Sequence, residues 1–277
     1  MGEKKVVVVT GSSDGIGAAA ARRLARDGHT VVVVGRSPQK TAAVAREVGA
    51  DHFVADFTRL DDVRHLAEEL DAAYPRLDVL ANNAGGVFGD RAKTVDGFEK
   101  TFQINHLAPF LLTTLLMRKL IASRASVIQT TTLHGGLERT LDIADLNMDR
   151  NYSPVRAYSA AKLENVLFTK ELHRRYHAQG ISSAAFYPGN VATSFGSETT
   201  SRLMKFLATN RLSRAVLLTT PDKGAEQLVW LTGGRPGIDW ASGEFYAKKT
   251  PGKGLNPLAN DVDLARRLWE RSEQLIG

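Results

Sequence analysis

Short apolar runs alternate with helical stretches along most of this chain. The run from Val6 to Val9 is unbroken valine, which is typical of a strand buried on both faces of a parallel sheet. Seven such runs can be read as strands, at residues 5–10, 30–35, 52–55, 77–82, 126–131, 181–187 and 243–246. Their alternation with helices predicts an α/β fold, a single doubly wound parallel sheet of the Rossmann type with helices on both faces. Ligands of such sheets bind in a crevice at the carboxyl ends of the strands.

This alternation lapses once, between residues 194 and 221, where basic and apolar residues mix. Because long irregular segments beside a crevice are often functional, we interpret residues 194–221 as a substrate lid after the sixth strand. The alternative is a surface helix without functional consequence. No linker or low-complexity tract divides the chain, so we interpret residues 1–277 as one domain. The last segment, residues 261–277, predicts a helix capped by Asp261, with a packing stripe of Leu264, Leu268, Leu275 and Ile276.

Composition narrows the possible functions. Hydrophobic residues make up 43% of the chain and charged residues 24%, as in an ordinary soluble globular protein. The chain contains no cysteine, which excludes disulfides and thiol catalysis and leads us to expect a reducing, cytoplasmic location. We find no secretory leader and no apolar run of membrane-spanning length, so neither secretion nor an integral membrane segment is expected.

Charge and histidine spacing argue against two further classes of partner. The formal net charge is +6, but the basic residues are scattered and are not interleaved with aromatic residues, so nucleic acid is not expected as a partner. The seven histidines show no spacing typical of metal ligands, so no metal is expected.

A glycine-rich turn joins the first strand to the first helix. In the segment TGSSDGIG, Gly11, Gly15 and Gly17 lie between the valine run and a helix predicted over residues 16–27. Without Cβ atoms the backbone can approach a phosphate closely, and the amides and positive dipole end of the helix face the anion. The turn therefore predicts a site for a dinucleotide pyrophosphate. The alternative is a turn that packs a helix on a strand and binds nothing.

The end of the second strand indicates which dinucleotide is bound. An acidic residue there would bind the ribose 2′-hydroxyl of NAD, whereas an arginine accommodates the 2′-phosphate of NADP. Here Gly35 replaces the acid and Arg36 follows it, while Ser12 and Ser13 lie close enough in the first turn to add hydroxyl donors. NADP(H) is therefore favoured, with a merely solvated Arg36 as the alternative.

Tyr158 and Lys162 stand four residues apart in YSAAK, so their side chains project from one helix face. Reduction of a carbonyl group needs a hydride and a proton donor whose pKa is near the working pH. Lowering the pKa of a tyrosine by about 2 to 3 units requires roughly 3 to 4 kcal/mol. A positive charge about 5 Å away supplies about 3 kcal/mol. We therefore expect Lys162 to lower the pKa of Tyr158, the alternative being a solvent-facing pair.

Five motifs occur in a characteristic order: the glycine turn, NNAG at residues 82–85, Asn105 in INHLAPF, YSAAK, and PGNVAT at residues 188–193. Together they resemble the short-chain dehydrogenase/reductase family over nearly the whole chain. INHLAPFLLT, the spacing from Thr132 to Tyr158 and the C-terminal sequence are similar to the branch that contains retinol dehydrogenases, WW-domain oxidoreductases and protochlorophyllide reductases. Many members of the family form homo-dimers or homo-tetramers.

The resemblance implies a catalytic tetrad. Asn105 orders a water that relays protons to Lys162, Tyr158 is the acid or base, and Lys162 grips the nicotinamide ribose. Thr132 stands where the family has a serine that polarises the substrate carbonyl. Its hydroxyl can still donate a hydrogen bond, although its methyl group narrows the pocket, and the alternative is a threonine that only favours β structure. The implied further cofactor contacts are Ile16, Asp56, Phe57, Asn83, Ala84, Gly85, Pro188, Gly189, Val191 and Thr193.

The sequence predicts an oxidoreductase that interconverts a ketone or aldehyde and its alcohol. The substrate is expected to be a largely apolar small molecule, because the lid segment contributes Leu203 and Phe206 as candidate contacts. His134 could also face the substrate, although a lone histidine is more often structural. The departure at Thr132 leaves a second interpretation open, a catalytically weak NADPH-binding sensor or interaction protein of the same fold.

Overall fold

The computed structural model describes residues 3–89, 91–132, 140–189, 219–252 and 255–277. All seven predicted strands are present, with ends that move by at most two residues, and a short eighth strand follows them. The strands are β1 (Val6–Thr10), β2 (Thr30–Gly35), β3 (Asp51–Val54), β4 (Val79–Asn82), β5 (Ser126–Thr130), β6 (Ser182–Tyr187), β7 (Glu244–Ala247) and β8 (Thr250–Pro251).

These strands form one sheet in the order β3-β2-β1-β4-β5-β6-β7-β8. The pairs from β3 to β7 are parallel, and β8 pairs with β7 in the antiparallel direction. Strand β1 lies between β2 and β4, so the direction in which the chain winds reverses there. A crevice opens at the carboxyl ends of strands beside such a reversal, and it is the expected ligand site.

Local sequence signals fix the helix ends. Ser37, Ser153 and Asp261 each accept a hydrogen bond from a backbone amide of the first helical turn, and proline occupies the first turn of several helices. The labelled helices are α1 (Gly15–Arg26), α2 (Pro38–Val48), α3 (Leu60–Ala73), α4 (Lys100–Phe102), α5 (Ala108–Leu115), α6 (Met117–Ala122), α7 (Pro154–Tyr176), α8 (Pro221–Gly233) and α9 (Val262–Ile276). Among the described residues, none of the helices combines the length and apolar character needed to cross a bilayer.

The sheet separates two layers of hydrophobic core. Alternate strand residues pack against α3, α5, α7 and α9 on one face, and the others pack against α1, α2 and α8 on the opposite face. Along β6, for example, Ala185 belongs to the first layer and Phe186 to the second. Most core strands are therefore buried on both faces, as the valine runs predicted.

The predicted lid falls almost entirely on residues outside the described ranges, since residues 190–218 are not among them. At its end, the Thr220 side chain accepts a hydrogen bond from the Lys223 amide at 3.3 Å and caps α8, whose first residue is Pro221. The last two residues assigned to the lid therefore belong to a helix terminus. Whether the remainder covers the crevice stays a prediction.

Candidate active site

Two glycines of the glycine-rich turn pack too closely against neighbouring backbone to carry side chains. Gly11 has a φ of +65°, and a Cβ on it would lie 2.7 Å from the Cα of Ala84. A Cβ on Gly17 would lie 2.6 Å from Nδ2 of Asn83, so α1 begins directly against the loop that follows β4. At its N-terminus α1 is capped by Asp14, whose Oδ1 accepts from the Gly15 amide at 2.7 Å, while Gly11 and Gly17 expose backbone that can approach a phosphate group.

The two serines of this turn have different roles. Ser12 is fully buried, and its hydroxyl donates to the Val9 carbonyl at 2.6 Å and accepts from the Val34 amide at 3.1 Å. Its amide donates to the Val34 carbonyl at 3.0 Å. The prediction that Ser12 contacts the cofactor is therefore wrong, because its polar atoms join β1 to β2. Ser13 does line the crevice.

A cavity of about 290 Å³ lies over the carboxyl ends of β1, β2, β3 and β4. It combines the glycine turn, the β2 end, the β3 end and the loop after β4, which are the regions expected to hold the adenosine half of a dinucleotide. The lining residues are Gly11, Ser13, Val34, Gly35, Arg36, Lys40, Ala55, Asp56, Phe57, Ala84, Gly85, Gly86, Val87, Phe88 and Ile104.

Two cations lie at the β2 side of this cavity. Arg36 was predicted from the sequence, and Lys40 was missed. Lys40 lies in the first turn of α2, and its Nζ is 3.4 Å from Oδ2 of Asp14 in the glycine turn. The sequence feature that points to Lys40 is its position four residues after Arg36, near the start of the helix that follows β2. Gly35 leaves no room for an acidic side chain, because a Cβ there would lie 2.6 Å from Thr41 Oγ1 and 2.7 Å from Ser13 Cβ.

The other predicted adenosine-side residues divide into lining and supporting groups. Asp56 lines the cavity while its Oδ1 accepts from the Thr58 amide at 2.9 Å, and Phe57 lines it as a buried ring. Asn83 supports the turn, since its Nδ2 donates to the Thr10 carbonyl at 3.0 Å and its Oδ1 accepts from Thr130 Oγ1 at 3.2 Å. Ala84 and Gly85 line the cavity, whereas Ile16 packs against the core on the α1 face. Gly15, at the start of α1, adopts a φ of +56°.

Asn105 lies in a π-helical turn, Gln103–Leu107, between α4 and α5. Its Nδ2 donates to the carbonyls of Gly86 at 3.0 Å and Thr101 at 2.9 Å, and its Oδ1 accepts from the Gly86 amide at 3.2 Å. The buried amide side chain therefore ties this helix to the loop after β4. Single π-helical turns within helices are frequent at functional sites.

Lys162 and Tyr158 project from α7 toward the carboxyl end of β5. Lys162 is buried, and its Nζ donates to the Thr130 carbonyl at 3.1 Å and lies 5.5 Å from the centroid of the Tyr158 ring. Burial lowers the pKa of Lys162 to about 7. The predicted pair is therefore formed, and it faces the crevice rather than solvent.

The direction of the Tyr158 pKa shift corrects a prediction. Burial raises the pKa of the Tyr158 phenol, and electrostatic interaction with Tyr187 raises it further. The charge of Lys162 alone favours a lowered pKa, but desolvation of the phenol outweighs it. The protein's own groups thus keep Tyr158 protonated near neutral pH. The positive charge of an oxidised nicotinamide would act in the opposite direction.

The remaining predicted residues lie at the same edge of the sheet or outside the described ranges. Thr132 follows β5 by two residues, and Pro188 and Gly189 directly follow β6, with Gly189 at a φ of +93°. All three are partly exposed at the carboxyl ends of neighbouring strands. The predicted contacts outside the described ranges are His134, Val191, Thr193, Leu203 and Phe206.

A nicotinamide dinucleotide fits the residues that are described. The glycine turn would hold its pyrophosphate, the cavity beside Arg36 and Lys40 would hold the adenosine half, and Lys162 with Tyr158 would lie at the nicotinamide end. The observation that supports this fit is the cavity at the strand ends, which is lined by the glycine turn together with Arg36 and Lys40.

Comparison with known proteins agrees with this arrangement. A family model described as short chain dehydrogenase matches residues 5–203. A Streptomyces sp. (strain C5) protein named "Putative daunorubicin C-13 ketoreductase" is 38% identical over 99% of this chain and 93% of its own length. Human retinol dehydrogenase 13 is 35% identical over 99% of this chain and 85% of its own length. A crystal structure of an uncharacterized protein from Mycobacterium paratuberculosis is 33% identical, with a TM-score of 0.77, covering 100% of this chain and 98% of that one.

Proposed function

Because the chain belongs to the short-chain dehydrogenase family, we propose that it is an NADP(H)-dependent oxidoreductase that interconverts a ketone or aldehyde with the corresponding alcohol. The single observation that carries this proposal is the position of Lys162. Its Nζ is held on the Thr130 carbonyl at 3.1 Å, beside the Tyr158 ring and at the end of the nucleotide cradle. In this proposal Tyr158 is the proton donor, Lys162 supports it, and the glycine turn binds the phosphates of the cofactor.

The choice of NADP(H) is supported by charge at the end of β2. Arg36 and Lys40 both line the cavity there, and the hydroxyl-bearing Ser13 lies beside them. Two cations would bind a ribose 2′-phosphate through charge-assisted hydrogen bonds. An acidic residue, which would favour NAD, cannot be accommodated at Gly35 without displacing Ser13 and Thr41.

When bound, the cofactor supplies or accepts the hydride. The chain's own residues handle the proton: the Tyr158 phenol gives it to the substrate oxygen during reduction and takes it back during oxidation. Burial raises the pKa of Tyr158, so the phenol carries its proton at neutral pH but is a weaker acid than a free tyrosine. Lys162, whose pKa burial lowers to about 7, would exchange the proton onward. In this proposal Thr132 donates a hydrogen bond to the developing oxyanion.

We further propose a largely apolar small-molecule substrate. Among similar proteins, one from Mus musculus is named polyprenol dehydrogenase, and it is 34% identical over 99% of this chain and 84% of its own length. Together with the retinol dehydrogenases, this name supports a crevice that accepts apolar molecules. A cytoplasmic location, a homo-oligomeric assembly and operation in the reducing direction belong to the same proposal.

The proposal is tested by following NADPH oxidation with a panel of ketones, aldehydes and quinones of graded size. We expect turnover of at least one class by the wild type, a much lower rate with NADH, and loss of turnover in Tyr158→Phe. The matched control is Tyr74→Phe, because the Tyr74 hydroxyl donates to Asp51 at the amino end of β3, away from the crevice. Equal rates in wild type and Tyr158→Phe would contradict the assigned acid. Tight NADPH binding without any turnover would instead favour the sensor interpretation.

A further inference from the structure

A second tyrosine stands at the edge of the sheet that carries the crevice. Tyr187 is the last residue of β6 and directly precedes Pro188 and Gly189. Strand β6 pairs in parallel with β5, where Phe186 is opposite Thr130 and the Thr131 amide donates to the Phe186 carbonyl at 2.9 Å. Tyr187 is therefore level with Thr131, the first residue after β5.

The alternation of side chains along β6 places Tyr187 on the same face of the sheet as α7. Phe186 belongs to the core on the α1 face, whereas Tyr187 packs against the core on the α7 face. On the neighbouring chain segment, the Thr131 hydroxyl donates to the Lys162 carbonyl at 2.7 Å, so α7 lies directly over this edge. The side chain of Tyr187 consequently shares the crevice wall with Tyr158 and Lys162.

Electrostatics agrees with this geometry. Besides burial, Tyr187 is the group that raises the pKa of the Tyr158 phenol, an interaction that requires the two phenols to lie near each other. Burial also raises the pKa of Tyr187 itself, which keeps its phenol neutral and able to donate a hydrogen bond.

The backbone of Tyr187 is held in place from the opposite side. Nε2 of Gln227 in α8 donates to the Tyr187 carbonyl, and Oε1 of Gln227 accepts from the Lys249 amide at 2.8 Å. Gln227 thus connects β6 to the turn between β7 and β8. Beyond Tyr187 the chain turns at Gly189, which has a φ of +93°. The phenol is therefore presented from a fixed backbone on the α7 face of the sheet.

We propose that Tyr187 is a specificity-determining residue, whose phenol binds a second oxygen function of the substrate close to the reacting carbonyl. The inference rests on the proposed function and deepens it, because it names the substrate class as hydroxyketones or diketones. With two neighbouring phenols on one wall, Tyr158 serves the reacting oxygen and Tyr187 serves its neighbour. A purely apolar ketone offers no second oxygen for the Tyr187 phenol to bind.

A matched pair of ketones tests this assignment. We would measure kcat and KM for 2-hydroxyacetophenone and acetophenone with wild type and with Tyr187→Phe, which retains the ring and removes only the hydroxyl. The ratio of kcat/KM for the hydroxyketone over that for the plain ketone should fall about tenfold in Tyr187→Phe, as expected for one lost hydrogen bond. Most of the change should appear in KM of the hydroxyketone. Comparing ratios cancels the intrinsic reactivity of the two compounds.

Tyr246→Phe is the control, since the Tyr246 hydroxyl donates to the Ala241 carbonyl at 3.1 Å and its ring packs on the opposite face of the sheet. It should leave the ratio unchanged even if it lowers stability. A ratio that is equal in wild type and Tyr187→Phe, with both ketones turned over, would overturn the role of Tyr187 and leave the proposed function intact. Wild-type protein that reduces neither these ketones nor any member of the wider panel would contradict the proposed function, and the substrate class with it.

Discussion

Gly85 packs directly on Asn105, so that a Cβ on Gly85 would overlap Oδ1 of Asn105 and lie 3.2 Å from Nζ of Lys162. The loop after β4 therefore approaches two members of the predicted tetrad at a distance that only glycine permits. This contact explains why the residue between the cavity and the predicted catalytic pair, Tyr158 and Lys162, carries no side chain. Because Gly85 also lines the cavity, its backbone lies between the cavity on one side and Asn105 and Lys162 on the other.

Gly85→Ala is expected to lower kcat at least tenfold. The added methyl group must displace the amide of Asn105, which makes hydrogen bonds to Gly86 and Thr101, or move Lys162 away from the Thr130 carbonyl. Displacements of this kind cost about 1 to 3 kcal/mol. The measurement is steady-state kinetics together with urea unfolding. In the control Gly233→Ala, the added Cβ meets no other part of the described chain within 4 Å apart from its own helix and chain neighbours, so activity should be retained. Full activity of Gly85→Ala would show that the loop can yield without disturbing the tetrad.

The sheet could be predicted from sequence because its signals are local. Runs such as the valines of β1 are buried on both faces. Asp261 caps α9 as the sequence indicates, because its Oδ1 accepts a hydrogen bond from the Leu264 amide at 2.9 Å. Turn glycines, strand hydrophobicity and helix caps each act within a few residues. The placement of Lys162 and Tyr158 on one face of α7 followed from helical spacing in the same way.

Other features depend on contacts that a linear pattern does not contain. Ser12 and Ser13 are neighbouring serines that the sequence does not distinguish. The turn directs the Ser12 hydroxyl into hydrogen bonds with Val9 and Val34. Lys40 reaches the cavity only because α2 begins at Pro38 and runs along its edge. The raised pKa of Tyr158 reflects the depth of the crevice, which residue spacing does not reveal.

Arg36→Asp is predicted to raise the KM for NADPH at least tenfold while leaving NADH kinetics much less affected. The substitution replaces a cation at the 2′-phosphate side with a group that repels phosphate. Lys40→Ala should also raise the KM for NADPH, but by a smaller factor, because Lys40 also pairs with Asp14. Fluorescence titration with NADPH and NADH gives a binding readout that is independent of turnover. NADPH kinetics that do not change in Arg36→Asp would rule out Arg36 as the phosphate contact.

Thr132→Ala should reduce kcat by about 10- to 150-fold, which corresponds to the loss of a carbonyl hydrogen bond worth about 1.5 to 3 kcal/mol. Thr132→Ser keeps the hydroxyl and removes only the methyl group, so it should retain activity and accept bulkier ketones. Kinetics of the two variants against the same ketone series separate the hydroxyl from the methyl group. If Thr132→Ala were as active as Thr132→Ser, the hydroxyl would have no part in the reaction.

His106 is expected to make the fold sensitive to mild acid. Burial lowers its pKa to about 4, and its ring packs 5.7 Å from that of Phe102, with Nε2 3.0 Å from Ser272 Oγ. Its contribution to stability is complete above the unfolded pKa near 6.5 and is lost as the pH falls toward 4. Between pH 7 and 5 the loss should be about 2 kcal/mol. In His106→Gln, this loss of unfolding free energy between pH 7 and 5 should disappear when stability is measured by urea unfolding. An unchanged dependence of the unfolding free energy on pH would assign the acid sensitivity to other groups.

Glu164 should destabilise the protein increasingly as the pH rises. This side chain lies in α7, 1% exposed, and burial together with the nearby Glu99 raises its pKa well above the usual value. Within the described ranges, neither Oε2 of Glu164 nor Oε1 of Glu99 has a hydrogen-bond partner. The folded state therefore keeps a proton that the unfolded chain releases above pH 4.5, so stability falls from that pH upward until the raised pKa is passed.

Glu164→Gln replaces the acid with a neutral group of the same shape and should stabilise the protein, with a gain that grows between pH 5 and the raised pKa. Glu171→Gln in the same helix is the matched control. Burial alone would raise the pKa of Glu171, but hydrogen bonds from Arg174 and Arg175 hold that pKa below its usual value. This control should therefore destabilise the fold, because it removes an ionised partner from two cations. Urea unfolding of both variants at pH 6 and 8 distinguishes the cases, since a loss of stability in Glu164→Gln at pH 8 would mean that Glu164 is ionised and paired in solution.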